Sequence, residues 1–275
     1  MTARTPAPIA LLTDFGLGDP YVAQMKGRIL SLVPDARIVD ISHGVEPFNL
    51  AQGGFFLNAS RRHFPEGTVF AAVVDPGVGT TRGIVLLEKD GQSIIAPDNG
   101  LASLVLGSGG PVRVFDLSVH MHSPRTVSAT FHGRDVFAPL AAQLAQGAEA
   151  ESLGPEMAPE DLVTLDWARP RLEDDNAAVT ATVLHVDRFG NCILNLPARE
   201  WLDRLCHWEG LALSAKGRTG AVTCCRTYAD LPLGSMGLLE GSQGYLELSM
   251  NQASAARLLA ATCGTTITLA AAQRL

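Results

Sequence analysis

From Ile9 onward the chain alternates short apolar runs with stretches in which apolar residues recur every three or four positions. The run Ile9 to Leu12 is followed by Val22, Met25, Ile29 and Val33 at helical spacing before Pro34, which predicts a strand and then a helix. Further apolar strands are predicted at 36–42 (ARIVDIS), 68–75 (TVFAAVVD) and 112–118 (VRVFDLS), with helices near 49–62 and 135–146. A βαβ series with short connections predicts an α/β fold: a doubly wound, mostly parallel sheet with helices on both faces. Residues 83–98 carry Asp90-Gly91, a hairpin turn signal, and predict one antiparallel excursion.

Between Gly154 and Asn176 the texture changes to Pro155, Pro159, Pro170 and the acidic cluster Glu173, Asp174, Asp175, which reads as a linker. The expected division is an N-terminal α/β domain over 1–165, a linker over 166–178 and a C-terminal domain over 179–275. In the last part, 178–187, 191–197, 221–228 and 244–250 are short β-rich runs punctuated by glycine, the pattern of a small all-β barrel or sandwich.

Composition narrows the function classes. With 275 residues, 47% hydrophobic and 18% charged, the chain is long enough to bury one large core or two modest ones. A net charge of −7 argues against non-specific binding to nucleic acid or an anionic membrane, and does not repel a cationic small substrate. The five cysteines, Cys192, Cys206, Cys224, Cys225 and Cys263, form no CxxC pair, so they read as small buried side chains of a reducing, cytoplasmic compartment. The N-terminal apolar run ends at Thr13 and Asp14, too short for a signal peptide or a membrane span.

Three strand-like runs end on an aspartate: Asp14, Asp75 and Asp98. The carboxyl ends of parallel strands share one edge, where ligands bind, so Asp14 and Asp75 are expected to converge; capping of the following turn is the alternative for each. In DPGVGTTR (75–82), Arg82 is placed to pair with Asp75 across a glycine turn, either to hold a functional carboxylate ionised or merely to stiffen the loop. The stretch lacks the GK[ST] ending of a phosphate loop. His132, Arg134 and Asp135 open a predicted helix, and His132 is suited to orient or deprotonate water if it faces Asp75. His120 and His122 form an H-x-H pair that on a strand would share one face, a metal site only if a third ligand stood near. In HVDRFGN (185–191), Asp187 and Asn191 offer polar contacts, Asn191 with the donor and acceptor that reading an adenine edge requires; a plain turn between strands is the alternative.

Taken in order, TDFGLGDPYVAQMKG, DISHGVEPFN, VVDPGVGTTR, APDNG, TFHGRDVFAP, HVDRFGNCILN and SQGYLELSMNQASAA span residues 13–256 and resemble the S-adenosyl-L-methionine (SAM) hydroxide adenosyltransferase, or SAM hydrolase, family, related to fluorinase and chlorinase. The resemblance implies an N-terminal SAM-binding α/β domain, a C-terminal β-barrel and a homotrimer with sites between neighbouring subunits. It implies that Asp75, Arg82 and His132 form the water-activating set, where the halogenating relatives carry Tyr at the position of Asp75. Asp14 matches the aspartate that holds the ribose hydroxyls, Asp19 one near the methionine end, and Asn191 the adenine-contacting asparagine. Asp187 and Ser242 resemble the groups that hold the amino and carboxylate ends of methionine, although some relatives have Arg where this chain has Gln243. Phe48 and Tyr228 look like aromatic walls of the pocket.

The expected activity is therefore hydrolysis of SAM to adenosine and L-methionine, with SAM as substrate, no metal and no cofactor. Two other classes share the same residues: a metal-dependent hydrolase of a nucleoside-type substrate built on His120, His122 and Asp14 or Asp75, and a non-catalytic SAM or adenosine sensor using Asp14 and Asn191.

Overall fold

The computed structural model describes residues 5–122, 127–173, 177–208 and 210–271, and the chain divides into two compact units, Met1–Leu165 and Asp166–Leu275. Asp174 and Asp175 of the expected linker, and the side chain of His122, lie outside the described part.

In the first unit the predicted alternation is realised as β1 (Ile9–Thr13), α1 (Tyr21–Leu32), β2 (Ile38–Ser42), α2 (Leu50–Arg61), β3 (Val69–Val73), β4 (Ile84–Lys89), β5 (Gln92–Pro97), α3 (Ser103–Gly107), β6 (Arg113–Asp116), α4 (Ala138–Ala145) and β7 (Glu156–Met157). The strands lie in the order β2-β1-β3-β5-β4-β6-β7, with β2, β1, β3 and β5 mutually parallel. β4 is the expected antiparallel excursion, turning into β5 through Asp90 (φ 52°) and Gly91 (φ 70°). β6 then pairs antiparallel with β4.

Alternation along the strands distributes the core. Ile9, Leu11, Ala71 and Val73 face Met25 and Ile29 of α1 and Leu140 of α4, whereas Ala10, Leu12, Phe70 and Ala72 pack with Leu57 of α2 and Val105 of α3. Because both sheet faces are covered, β1 and β3 are wholly buried, which is why they read as unbroken apolar runs. α2 is started by Asn49, whose side chain accepts from the Gln52 amide at 3.1 Å. In register, Thr13 of β1 lies beside Val73 of β3, so Asp14 and Asp75 leave the sheet at the same edge.

The second unit comprises β8 (Arg171–Glu173), β9 (Ala178–Val186), β10 (Cys192–Pro197), α5 (Ala198–Cys206), β11 (Leu211–Ala215), β12 (Arg218–Ala221), β13 (Thr223–Cys224), β14 (Met236–Glu240), β15 (Tyr245–Met250), α6 (Ala255–Leu259) and β16 (Thr266–Ala271). The order β12-β11-β16-β9-β10-β15-β14-β13 ends on two strands that are consecutive in sequence, so the stretch 218–224 borders both ends of the sheet. Val222, between them, donates its amide to Leu211 O at 2.9 Å, and the result is a nearly closed barrel around Val183, Leu194, Trp201, Leu213, Leu248 and Ile267.

Three expectations change. β8 lies inside the segment read as a linker and pairs with β9. The predicted strand 221–228 stops at Cys224, because the Asp230 carboxylate gathers the amides of Arg226 and Thr227 and turns the chain away. Cys206 at the end of α5 is disulfide-bonded to Cys224 of β13, against the expectation of free thiols for this pair; Cys192 and Cys225 are free.

Candidate active site

In the first unit, Asp14, Tyr21, Phe48, Asp75, Phe131 and His132 line a cleft of about 540 Å³ at the shared strand edge. Asp75 follows β3 after one residue, Val74. Its carboxylate is almost fully enclosed, with 4% of the side chain exposed, and is gripped by Arg82: Nε donates to Oδ1 and Oδ2 at 3.0 Å each, and a terminal nitrogen also donates to Oδ2. The turn that brings Arg82 back depends on Gly79 (φ 78°), where a Cβ would stand 2.5 Å from Ala129 O. The guanidinium is closed in by Met121 Sδ at 2.7 Å and by the Phe137 ring, its centroid 6.0 Å away.

The same Arg82 nitrogen that grips Asp75 Oδ2 lies 2.9 Å from Nδ1 of His132, fifty residues on in the sequence. Arginine has donors only, so Nδ1 must be the acceptor, and the neutral imidazole then carries its proton on Nε2. Burial, and then the adjacent Arg82 charge, hold the His132 pKa below its ordinary value, which keeps the ring neutral. His132 therefore presents an N–H at Nε2. That N–H can orient a water oxygen by donating to it, while the ring's lone pair, on Nδ1, is already taken by Arg82. His132 is positioned by the start of a π turn, Gly133–Phe137, that runs into α4.

Asp14 follows β1. Its Oδ2 accepts the backbone amide of Phe48 at 2.9 Å, an amide aimed by an unfavourable positive φ of 66° at that bulky residue. Burial raises the Asp14 pKa, with the Phe48 amide opposing and the Asp75 charge adding to the rise. Asp98, the third strand-end aspartate, takes no part in the cleft: its Oδ1 accepts the Val163 amide at 2.9 Å, the turn-holding role that was its alternative. Asp19 is exposed and not among the cleft-lining residues. His120 lies in a 3-10 turn, Ser118–His122, rather than on a strand, and its Nε2 is 2.8 Å from Leu153 O. Among the described residues no three His, Cys, Asp or Glu side chains form a group that could hold a metal ion.

In the second unit, Asp187 and Asn191 form a closed turn. Asp187 Oδ1 accepts the amides of Phe189 and Asn191 at 2.9 Å each, and Oδ2 accepts from Asn191 Nδ2 at 2.8 Å. Gly190 (φ 88°) is pressed against Ser254 there, and Phe189 projects from the tip, 76% exposed. Ser242 is exposed in the β14–β15 turn. Tyr228 donates its hydroxyl to Glu247 Oε1 at 2.6 Å, and Ser249 adds a second donor at 3.2 Å. Burial raises the pKa of this carboxyl, and the charge of Asp187 raises it further. Sequence reasoning missed Glu247; the available signal was an acid set between Leu246 and Leu248 in the buried strand Tyr245–Met250.

Comparison with known proteins gives the same frame. Residues 9–154 match the model of the SAM hydroxide adenosyltransferase N-terminal domain and residues 181–268 that of the C-terminal domain. The (R)-S-adenosyl-L-methionine hydrolase of Salinispora arenicola is 37% identical, the alignment covering 95% of this chain and 97% of that one. The protein of the same name from Thermus thermophilus is also 37% identical, with 92% and 95% covered. A crystal structure of an uncharacterized conserved protein from Thermotoga maritima superposes with a TM-score of 0.84 at 31% identity, covering 95% of this chain and 99% of that one. With both domain models matched in order along a chain that has the expected sheet, barrel and Asp–Arg–His cluster, this protein belongs to the SAM hydroxide adenosyltransferase family.

Proposed function

We propose that this protein hydrolyses S-adenosyl-L-methionine to adenosine and L-methionine by attack of water on the ribose 5′ carbon. Its relatives bear the name of hydrolases of the (R) form, and that sulfonium epimer is the substrate proposed here. The observation that carries the reading is the enclosed Asp75–Arg82 pair joined to His132, opening on the cleft that Asp14 also lines.

The chemistry asks for little activation of the substrate, because the sulfonium leaves as neutral thioether. A C5′–O bond forms as the C5′–S bond breaks, the bonding pair stays on sulfur, and one water proton must be taken up. Arg82 orients the Asp75 carboxylate as the acceptor for that proton, and the Nε2–H of His132 donates to the water oxygen, turning a lone pair towards carbon. Holding the nucleophile in line with the C–S bond is worth roughly 7–11 kcal/mol. A carboxylate at position 75, where the halogenating relatives have Tyr, favours water over halide. No step requires a metal or a redox cofactor.

The substrate contacts proposed are Asp14 for the ribose hydroxyls, Asp19 near the methionine end, Asn191 for adenine, Asp187 and Ser242 for the amino and carboxylate groups, and Phe48 and Tyr228 as apolar walls. We propose further that the protein acts as a cytoplasmic homotrimer, with the first-unit residues of one subunit serving the same substrate as the second-unit residues of a neighbour. Among the described residues no helix is long and apolar enough to cross a membrane. Incubation of purified protein with SAM and a chelator is the test: adenosine and methionine are expected. S-adenosylhomocysteine with a methylated product, or loss of activity on chelation, would sink the proposal. Mixed oligomers of Asp75→Ala and Asn191→Ala chains should recover activity that neither variant has alone if sites are shared between subunits.

A further inference from the structure

The end of β2 and the turn after it, Asp40-Ile41-Ser42-His43-Gly44, bury a histidine. His43 is 5% exposed, with Nδ1 2.9 Å from Thr13 Oγ1. Its Nε2 lies 3.1 Å from Asp40 Oδ1, at ion-pair distance though not aligned as a hydrogen bond, and Asp40 Oδ2 accepts from Lys26 Nζ at 2.6 Å. Hydroxyl, imidazole and carboxylate in that order are the parts of a nucleophilic triad. Thr13 is no nucleophile, however, because it is wholly buried and its Oγ1 already accepts the Phe15 amide at 3.2 Å.

What the chain of contacts does is mechanical. It fastens the residues on both sides of Asp14, Thr13 through its side chain and Phe15 through its amide, while Gly16 donates its amide to His43 O at 2.7 Å. Together with the Phe48 amide on Oδ2, these contacts anchor the Asp14 loop to the ends of β1 and β2 and, through Lys26, to α1. An anchor is needed because Asp14 is a partly buried carboxylate that feels the charge of Asp75. Swinging outward would relieve both desolvation and repulsion. Polar contacts that reach from the surface at Lys26 and Asp40 to the buried Thr13 tie together the backbone segments they join.

We propose that Asp40, His43 and Thr13 are positioning residues that hold Asp14 in the cleft to read a ribose diol, an inference that rests on the ribose role given to Asp14 above. The test measures binding of adenosine and 2′-deoxyadenosine by calorimetry, and steady-state kinetics with SAM, on the full-length protein and three variants. Wild type should prefer adenosine. His43→Ala should weaken adenosine roughly tenfold, the effect of losing one well-placed hydrogen bond, and bring its affinity close to that of 2′-deoxyadenosine, which itself changes little. KM for SAM should rise in step while kcat stays within about threefold. His43→Asn, whose amide overlays Nδ1 and keeps the Thr13 contact, should restore most of the preference. Asp40→Asn, at a side chain 40% exposed and so tolerant of change, should fall between and carries the test if His43→Ala does not fold.

A His43→Ala protein that discriminates as wild type does, or loses both nucleosides equally, would overturn the inference. Wild type that prefers adenosine yet leaves SAM intact would remove the hydrolase reading and leave the positioning role standing. Wild type that binds the two nucleosides equally would remove the positioning role whatever the turnover.

Discussion

Replacing Asp75 by asparagine changes one atom and isolates what the carboxylate does. In the native site three donor contacts from Arg82 fall on the two oxygens, and Nε alone reaches both. The asparagine amide can satisfy the guanidinium with only one oxygen, so its NH2 turns towards the cleft and a proton acceptor becomes a donor. Two costs follow. Removing one member of a buried pair without refilling its charge destabilises by about 3–5 kcal/mol at the extreme; retained shape and hydrogen bonding place this substitution at the lower end or below, about 1–3 kcal/mol. The catalytic cost is larger, since the acceptor matters chiefly in the transition state: kcat should fall about 10²–10⁴-fold, while affinity for SAM changes by less than about tenfold. Chromatographic quantification of adenosine gives kcat, and calorimetry with SAM under single-turnover-limited conditions gives affinity. A variant retaining more than about a fifth of wild-type turnover would show that the Asp75–Arg82 pair only stiffens its loop.

His132, held below its ordinary value of 6.5, should appear in imidazole 15N spectra as the Nε2–H tautomer and titrate below that pH, moving upward in Arg82→Gln; an Nδ1–H signal would refute the assignment. The sign for stability follows: the unfolded chain takes up this proton first, so the His132 contribution is complete above the unfolded pKa of about 6.5 and is lost as pH falls through the lower folded value, which denaturation of wild type against His132→Gln across pH 5–7, roughly, will read. Gly79→Ala, with its Cβ 2.5 Å from Ala129 O and a positive φ, should cost about 1–3 kcal/mol and reduce turnover by displacing Arg82; unchanged stability would mean that the two loops separate freely. Cys206→Ser should lose about 2–4 kcal/mol in chemical denaturation, because the bond to Cys224 closes a loop of sequence separation 18; no loss relative to oxidised wild type would mean that the pair is reduced in solution.

The periodicity of apolar residues was enough to place β1 and β3 in a parallel sheet, and with them Asp14 and Asp75 on one edge, because a strand buried on both faces must be apolar throughout and parallel strands end on the same side. The hairpin at Asp90-Gly91 was equally legible, since its turn needs two residues of positive φ. Asp98 was not. A strand-end aspartate looks the same in sequence whether it faces a ligand or the Val163 amide sixty-five residues away, and only the packing of that later segment decides. The run 221–228 failed for a local reason, Asp230 capturing two amides in competition with a ladder of similar strength. The state of His132 needed Arg82 brought beside Nδ1 across fifty residues, which fixes the tautomer. His43 and Glu247 could not be singled out in the sequence because their partners, Thr13 and Tyr228, lie 30 and 19 residues away. Local sequence specifies which face a side chain presents; which polar atom meets it there is settled only when distant segments pack, because burial obliges each of those atoms to find a partner.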